Sequence, residues 1–341
     1  MASIKERESG YWQAKVRRKG WPTQSKTFST KTAAETWARA VESEMDKGMF
    51  ISRAAAERTT VKELAKKYRE EFAPHHYRGK AWEVKLKHLE DRLGSYSLAA
   101  LTPEVVAGYR DGRLKDPDPR HKDSRTAPHV SGATVKTELD LLSKMLNIAE
   151  TEFGISLPMG NVVRSIRKPK DGASRDRRLS AEDWQRLESQ CKASGNPWLY
   201  PAFILAVETS MRQGELLTAR WEHYKKSNRY ILLPQTKNGE ARAVPLSTRA
   251  VEVFESLPVH DSGRVIPLEK QTLYSAFKAA VDRAKVDNFR WHDLRHEAIS
   301  RIAETGKLTL LEMAAVSGHK SLTMLKKYTH LHAEQLAHKL G

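Results

Sequence analysis

Apolar and polar side chains alternate along the first part of the chain. Over residues 11–18, Trp12, Ala14 and Val16 fall on one face, because successive side chains of a strand point to opposite sides of a sheet. A second strand is predicted over residues 23–28, after a break at Lys19 and Gly20. The two runs together predict a small antiparallel sheet.

A helix is predicted directly after these strands. Thr32 and Glu35 have the spacing of a capping box, and the helix is expected to end near Gly48. Residues 1–52 are therefore predicted to form a sheet packed on one helix. Acidic residues are missing between Glu8 and Glu35, so the sheet face is basic and suits a DNA groove, with a solvated strand face as the alternative. The candidate DNA contacts on this face are Lys15, Arg17, Arg18 and Lys19.

The apolar repeat becomes helical further along the chain. Thr60 and Glu63 form another capping box and open an amphipathic helix. Further helices are predicted at 82–93, from Thr102 with Pro103 in its first turn, and around 139–149. Residues 57–165 are therefore expected to form an all-helical domain. Its connections are basic, and Arg120 and Lys122 are candidate DNA contacts there.

A basic segment with Pro, Gly and Ser separates this domain from the rest of the chain. Residues 166–179 have the composition of an exposed linker, and a tether that crosses a DNA backbone would have the same composition. The candidate DNA contacts in it are Arg167, Lys168, Arg177 and Arg178.

The remaining residues, 180–341, are predicted to be helical apart from one hairpin. Ser180 and Asp183 open the first helix of this segment. The hairpin has strands at 230–234 and 241–245, and the Asn-Gly pair in its turn supplies the positive φ angles that a tight turn needs. Lys237 is thereby expected at the tip of a small sheet.

Length and charge extend this picture. The chain has 341 residues, which is more than one hydrophobic core usually organises. The predicted fold is therefore mainly α and multidomain: a small sheet-plus-helix domain, an all-α domain, and a mixed domain with a small hairpin. Lys and Arg number 59 against 42 Asp and Glu, and an excess of +17 is typical of proteins that bind a polyanion such as DNA.

Several classes of protein are disfavoured by the sequence. No run approaches 18 apolar residues and the start of the chain lacks a signal peptide, so a cytoplasmic protein acting at the bacterial nucleoid, without a membrane partner, is expected. Cys191 is the single cysteine, which excludes an internal disulfide and a cysteine-based zinc cluster. We interpret Cys191 as a structural residue.

Four stretches carry side chains suited to chemistry: TSMRQGEL, QTKNGEARAVPLS, WHDLRHEAISR and SGHKS, followed by a tyrosine in MLKKYTHL. The candidate catalytic residues are Arg212, Lys237, His292, Arg295, His319 and Tyr328. Each one alone has a structural alternative, such as an ion pair with Glu215, a helix cap or a half-buried aromatic. His292 and Arg295 share one helix face, and His296 adds a hydrogen-bonding group beside them.

Together these side chains are suited to breaking a phosphodiester without a metal or cofactor. Transfer of a phosphoryl group spreads negative charge over the non-bridging oxygens, which Arg212 and Arg295 can bind as a clamp. Tyr328 is a candidate nucleophile once a base or neighbouring cations favour its phenolate, and His292 is a candidate to assist it. Lys237 is the candidate donor of a proton to the leaving sugar oxygen.

These motifs resemble those of the tyrosine recombinases, a family that includes the phage integrases. The six candidate residues occur in the family's order, with the family's nine-residue step from His319 to Tyr328. HDLRHEAIS, TKNGEARAVPLS and MLKKYTHL look like the recombinases that invert shufflon segments, whereas residues 1–52 look like the arm-site-binding domain of integrases. Gln213 stands where the family frequently has a basic residue, and Ser317 stands where an aliphatic residue is usual.

The resemblance implies a site-specific recombinase. Tyr328 would form a 3′-phosphotyrosine with release of a 5′-hydroxyl, and Arg212, Arg295 and His319 would stabilise the transition state. The helical and catalytic domains would close around a core-type DNA site, the first domain would bind arm-type sites, and a homotetramer would assemble on two double-stranded DNA sites with DNA-bending accessory proteins. The segment after Tyr328 would pack either on a neighbouring protomer or on the protomer to which it belongs.

Three other functions compete with this one. A type IB topoisomerase has nearly the same catalytic residues, but the arm-like first domain argues against it. A catalytically silent DNA-binding or architectural protein would keep the fold and lose strand cleavage. A metal-dependent nuclease is disfavoured, because the sequence has no clustered carboxylates or HxH-type ligand spacing.

Overall fold

The computed structural model describes residues 2–47, 54–77, 79–121, 123, 125–172, 175, 177–234, 241–325 and 328. The chain divides into two compact units, Met1–Ala173 and Ser174–Gly341. Helices dominate both units in the described ranges, and each unit contains one small antiparallel sheet. The predicted mainly α fold is confirmed.

The first unit begins with a three-stranded sheet covered by one helix. The strands are β1 (Ser3–Glu6), β2 (Trp12–Val16) and β3 (Gln24–Phe28), and the helix is α1 (Lys31–Asp46). Strand β2 is central and pairs antiparallel with both neighbours. Its inward residues Ala14 and Val16 are fully buried against Ala34 and Ala38 of α1, as the alternation predicted. Strand β1 was not predicted.

The start of α1 differs from the sequence prediction. The helix is capped by Thr30, whose hydroxyl accepts a hydrogen bond from the backbone N–H of Ala33 at 3.3 Å. Thr32 and Glu35 therefore lie inside the helix, and the capping box predicted for them is wrong. Only Thr32 has a glutamate three residues later, so the capping-box spacing selected it, whereas Thr30 caps the helix through its hydroxyl group alone.

The helical part of the first unit has its own apolar cluster. Its helices are α2 (Ala54–Arg58), α3 (Val61–Lys67), α4 (Ala73–His76), α5 (Ala81–Leu93), α6 (Pro103–Arg113) and α7 (Gly132–Thr151), with a single π-helical turn (Tyr68–Phe72) between α3 and α4. The capping box of Thr60 and Glu63 is confirmed, and Thr102 caps α6 with Pro103 in the first turn. A buried ion pair joins two helices, because Arg113 of α6 binds Glu138 of α7 at 2.9 Å.

The second unit packs its helices around one strongly apolar helix. The helices are α8 (Ala181–Lys192), α9 (Leu199–Thr209), α10 (Gln213–Thr218), α11 (Thr248–Ser256), α12 (Lys270–Ala284), α13 (Asp293–Glu304) and α14 (Leu310–Ser317). Most residues of α9 are buried, which is typical of a helix surrounded by other elements. Ser180 caps α8 as predicted.

A second three-stranded sheet lies in this unit. Its strands are β4 (Tyr224–Lys225), β5 (Tyr230–Leu233) and β6 (Arg242–Pro245), and β5 pairs antiparallel with both neighbours. The predicted hairpin corresponds to β5 and β6. Its turn, with Lys237, lies outside the described residues.

Candidate active site

The first arginine of the site follows the end of α9. Arg212 is the N-cap residue of α10, and its guanidinium group donates to Oε1 of Glu215 at 2.8 Å. Oε2 of the same carboxylate accepts from the backbone N–H of Arg212 at 2.9 Å. Glu215 therefore fixes both the start of α10 and the direction of the Arg212 side chain. This is the ion pair that the sequence suggested.

A second arginine, which the sequence analysis missed, binds the same carboxylate. Arg242 in β6 donates from Nη2 to Oε2 of Glu215 at 2.7 Å and from Nη1 to the carbonyl oxygen of Val316 at 2.8 Å. Residues two apart in a strand share one face, and Val244 is fully buried. The inward register of β6 was thus the available signal that Arg242 points to the interior.

The third arginine is buried. Arg295, near the start of α13, is 4% exposed, and its guanidinium group donates to the carbonyl oxygens of Ser210, at 2.6 Å, and of Ser317. Burial and the neighbouring Arg212 lower the pKa of Arg295 to about 10. The group therefore remains protonated at neutral pH.

The three arginines bind three successive carbonyl groups at the end of α14. Arg242 donates to Val316, Arg295 to Ser317, and Arg212 to Gly318 at 3.3 Å. The last carbonyls of a helix lack intrahelical partners and carry partial negative charge, so guanidinium groups are well matched to them.

Gly318 makes this close approach possible. Its φ is +68°, and a Cβ at this position would lie 2.6 Å from Nη1 of Arg242. A glycine avoids both the strain of left-handed backbone and this collision. His319 follows Gly318 and thus comes directly after the three carbonyl groups that the arginines bind.

The His319 ring is held by a side chain of α14. Its Nδ1 lies 2.7 Å from the hydroxyl oxygen of Ser317. Burial, together with Arg295, Arg212, His296 and Arg242, lowers the pKa of His319 to about 4. The ring is therefore neutral at pH 7 in the protein without DNA.

Tyr328 is buried in an apolar cluster and bonded through its hydroxyl group. It is 8% exposed and packs against Ile299, Met313 and Leu325. Its hydroxyl group makes a hydrogen bond with Nδ1 of His296. The phenol also contributes to the electrostatic environment of Arg295. Tyr328 is thus an apolar core residue whose hydroxyl group binds His296, the residue that follows Arg295 in α13.

His296, the hydrogen-bond partner of Tyr328, lies one helical turn from His292, the histidine expected to assist Tyr328. His292 is the N-cap residue of α13, and its ring centroid is 5.2 Å from that of His296. His296 contacts the Tyr328 hydroxyl group. The sequence analysis noted His296 without assigning it to Tyr328, because spacing along a helix does not show which of two histidines faces a distant segment.

The site is an electropositive centre in the described part of the chain. Arg212, Arg242 and Arg295 face the single carboxylate of Glu215. Burial alone would raise the pKa of Glu215, but the hydrogen bond from the Arg212 backbone and the two guanidinium groups lower it, so the carboxylate is ionised. One negative charge offsets one of three positive charges, and the excess suits a phosphate whose charge grows during phosphoryl transfer.

The predicted DNA contacts of the first unit lie at its surface. Arg17, Lys19 and Arg167 are exposed, and Lys15 is partly exposed. Three others are bound to carboxylates: Arg18 to Asp46, Arg120 to Asp118, and Lys168 to Asp140 at 2.6 Å. Exposed ion pairs such as those of Arg18 and Lys168 contribute about 0–1 kcal/mol, so a DNA phosphate can replace the carboxylate there, whereas Asp118 is buried. Lys122 lies outside the described residues.

The two predicted contacts at the end of the linker are held against the second unit. Arg177 binds Asp183 at 3.2 Å. Arg178 binds Glu304 and also Glu297, which is 1% exposed. These bonds anchor the start of the second unit, and a role of either arginine in DNA binding stays a prediction.

Two negative findings concern the described residues only. No helix among them is both long and apolar enough to cross a membrane. No group of three or more His, Cys, Asp or Glu side chains among them is arranged to hold a metal ion.

The chain is similar to several known proteins. Residues 177–335 match the phage integrase family. A shufflon-specific DNA recombinase of Escherichia coli is 44% identical over 70% of this chain and 60% of its own length, and a putative integrase/recombinase of Haemophilus influenzae is 29% identical over 92% and 83%. This chain thus spans less than two thirds of the shufflon recombinase.

A solved structure shares the fold over almost the whole chain. A lambda integrase dimer bound to a core site covers 96% of this chain and 94% of its own, with a TM-score of 0.64 and 22% identity. At this identity the likeness concerns the fold.

Proposed function

We propose that this chain is a site-specific recombinase that cuts and rejoins DNA, because it belongs to the phage integrase family of tyrosine recombinases through residues 177–335. One observation carries the proposal: three arginines and His319 converge on the end of α14, and the Tyr328 hydroxyl group binds His296, which follows Arg295 in α13. A nucleophile next to preorganised cations is what phosphoryl transfer requires.

Strand cleavage would proceed by in-line attack at one DNA phosphate. The Tyr328 oxygen bonds to phosphorus, the bond from phosphorus to the 5′ oxygen breaks, and a 3′-phosphotyrosine forms. The phenol proton passes to His296, and His292 assists this transfer as the neighbouring acid–base group. Lys237 donates a proton to the leaving 5′ oxygen. The reverse attack by a 5′-hydroxyl of another strand restores the phosphodiester.

The arginines would bind the non-bridging oxygens of that phosphate. A guanidinium group has five N–H donors, which exceeds the two contacts described above for each arginine. Each can thus keep its bonds to the protein and add bonds to DNA. Because these bonds exist before DNA arrives, little reorganisation is needed in the transition state.

The rest of the chain would supply DNA binding and assembly. The exposed basic residues of the first sheet and of the linker support contacts to arm-type and core-type double-stranded DNA. A homotetramer on two sites, with DNA-bending accessory proteins, is the assembly we propose. A lambda integrase tetramer bound to a Holliday junction shares the fold of this chain with a TM-score of 0.62.

The catalytic proposal is tested by separating binding from cleavage. Arg212→Ala and Arg295→Ala are each expected to reduce strand cleavage by a factor of about 100 or more, since removal of one preorganised donor commonly has this effect. Binding to the same DNA, measured by gel shift, should change little. Arg283→Ala removes an equal charge from an exposed position on α12 and serves as the control. Cleavage by Arg212→Ala at the control's rate would refute the assignment.

The arm-binding proposal is tested by removing residues 1–52. The shortened protein should cleave a core-type site and bind long DNA more weakly. The affinity of the full chain should also fall steeply with salt concentration, because each phosphate contact releases counterions. Unchanged affinity for long DNA after the deletion would contradict an arm-binding role.

A further inference from the structure

Ser317 is the last residue of α14 and sits between two hydrogen-bonding partners. It is 1% exposed. Its hydroxyl group lies 2.6 Å from the carbonyl oxygen of Met313 and 2.7 Å from Nδ1 of His319. The sequence analysis noted Ser317 only as a departure from an aliphatic residue. No step of the proposed reaction uses it.

The directions of the two bonds follow from the partners. The Met313 carbonyl oxygen can only accept, so the single hydroxyl proton of Ser317 points to it, as serines near helix ends often do toward the residue four positions earlier. The hydroxyl oxygen then accepts the Nδ1–H of His319. The opposite arrangement would place two oxygen lone pairs face to face at 2.6 Å.

The tautomer of His319 follows from this bond. A neutral imidazole carries one proton, and with that proton on Nδ1 the other nitrogen, Nε2, presents a lone pair. Arg212 and Arg242 face the ring from the region of α10 and from β6, and Arg295 and His296 face it from α13. A lone pair is favourable beside these cations while no phosphate is bound.

We propose that Ser317 is a positioning residue that holds His319 in the Nδ1–H form, so that His319 can bind a DNA phosphate only after taking up a proton from solvent. The inference rests on the proposed function, with His319 as a group that stabilises the transition state at the DNA phosphate. A lone pair on Nε2 would repel a phosphate oxygen, whereas the protonated ring donates Nδ1–H to Ser317 and Nε2–H to the phosphate. An aliphatic residue at position 317 cannot accept the Nδ1–H bond and leaves the tautomer unconstrained.

The tautomer can be measured without any assay of DNA cleavage. Nitrogen-15 NMR of the imidazole rings distinguishes the two tautomers in the full chain at pH 7, and His319→Gln assigns the signal among the 13 histidines. Wild-type His319 is expected as the Nδ1–H form. Ser317→Ala should shift it toward the Nε2–H form, which imidazole side chains prefer in water. A wild-type ring already in the Nε2–H form, or an unchanged ring in Ser317→Ala, would overturn the inference.

The pH profile of DNA cleavage tests whether His319 must take up a proton before it binds the phosphate. The wild-type cleavage rate should fall about tenfold per pH unit above the pKa of His319 in the DNA complex. Ser317→Ala should have a flatter profile, because its neutral ring can donate from Nε2, and Ser317→Thr should restore the slope. Ser321→Ala, which removes a hydroxyl from an exposed position two residues beyond His319, is the control.

The outcomes separate this inference from the proposed function. Superimposable pH profiles of wild type and Ser317→Ala would refute proton-coupled phosphate binding. If no variant cleaves DNA, the proposed function fails, while the NMR result still decides whether Ser317 sets the tautomer.

Discussion

Replacement of Glu215 by glutamine removes the one negative charge that pairs with two arginines of the site. Glu215 is 5% exposed and accepts three hydrogen bonds: from the Arg212 backbone at 2.9 Å, from the Arg212 guanidinium at 2.8 Å and from Arg242 at 2.7 Å. A glutamine has the same shape. Its amide nitrogen, however, must face at least one of these donors.

The magnitude follows from the bonds that glutamine cannot make. In its better orientation the amide oxygen replaces Oε2 and keeps two bonds, while the amide nitrogen confronts the Arg212 guanidinium. Breaking one side of a buried ion pair costs about 3–5 kcal/mol, because the remaining charge is left buried without compensation. The side chain of Arg212 is 26% exposed and that of Arg242 is 12% exposed, so water offsets only part of this cost. We therefore expect Glu215→Gln to lower the free energy of unfolding by about 3–5 kcal/mol.

Urea unfolding at pH 7.5, followed by tryptophan fluorescence, measures this change. Glu222→Gln is the matched control, since Glu222 binds Arg220 at 2.7 Å but its side chain is 63% exposed. An exposed pair contributes about 0–1 kcal/mol, so the control should unfold nearly as the wild type does. A Glu215→Gln protein within about 1 kcal/mol of the control would refute the description of Glu215 as the buried counter-charge of the site.

Three further predictions concern stability. Glu138→Ala should lower the free energy of unfolding by about 3–5 kcal/mol in urea, because it leaves the buried Arg113 without this partner, and Glu150→Ala at an exposed position of α7 should not. Ser210→Gly should raise the melting temperature, since Ser210 has a φ of +51° and relief of left-handed strain contributes about 1 kcal/mol; a lower melting temperature would contradict this. Glu215 and Glu297 have pKa values below 4.5, because hydrogen bonds and charges from their arginine partners outweigh burial. The stability that these carboxylates provide is therefore present above pH 4.5 and is lost as the pH falls through the lowered pKa values. Glu297→Gln should make the loss of stability in acid shallower, and an unchanged pH dependence would argue against this coupling.

The sequence predicted those parts of the fold that depend on local chemistry. Thr60, Thr102 and Ser180 cap helices as expected, because a hydroxyl group before an apolar helical repeat is a local signal. Alternation located β2, and the Asn-Gly turn signal in the sequence located the pair β5 and β6. Strand β1 was missed, because its four residues bury little and depend on pairing with β2.

The candidate site was predictable where a motif marks it and not where tertiary contacts create it. Arg212, Arg295 and His319 were identified from their motifs, and the structure brings all three to the end of α14. Arg242 and His296 enter the site through contacts across 74 and 32 residues of sequence, respectively. Such contacts leave no periodic signal, so only the folded chain shows which side chains meet.

In the proposed reaction Tyr328 becomes covalently bonded to DNA. The direct measurement incubates the purified protein, in EDTA, with labelled DNA from both sides of the gene that encodes it, and then runs a denaturing SDS gel beside Tyr328→Phe. A type IB topoisomerase would give the same adduct and is distinguished by relaxation of supercoiled DNA without exchange of strands between two sites. We expect a denaturant-resistant protein–DNA band with the wild type only, on a fragment that both proteins bind. Tight binding by the wild type without such a band, or an equal band with Tyr328→Phe, would contradict it and favour a catalytically silent DNA-binding protein or a different nucleophile.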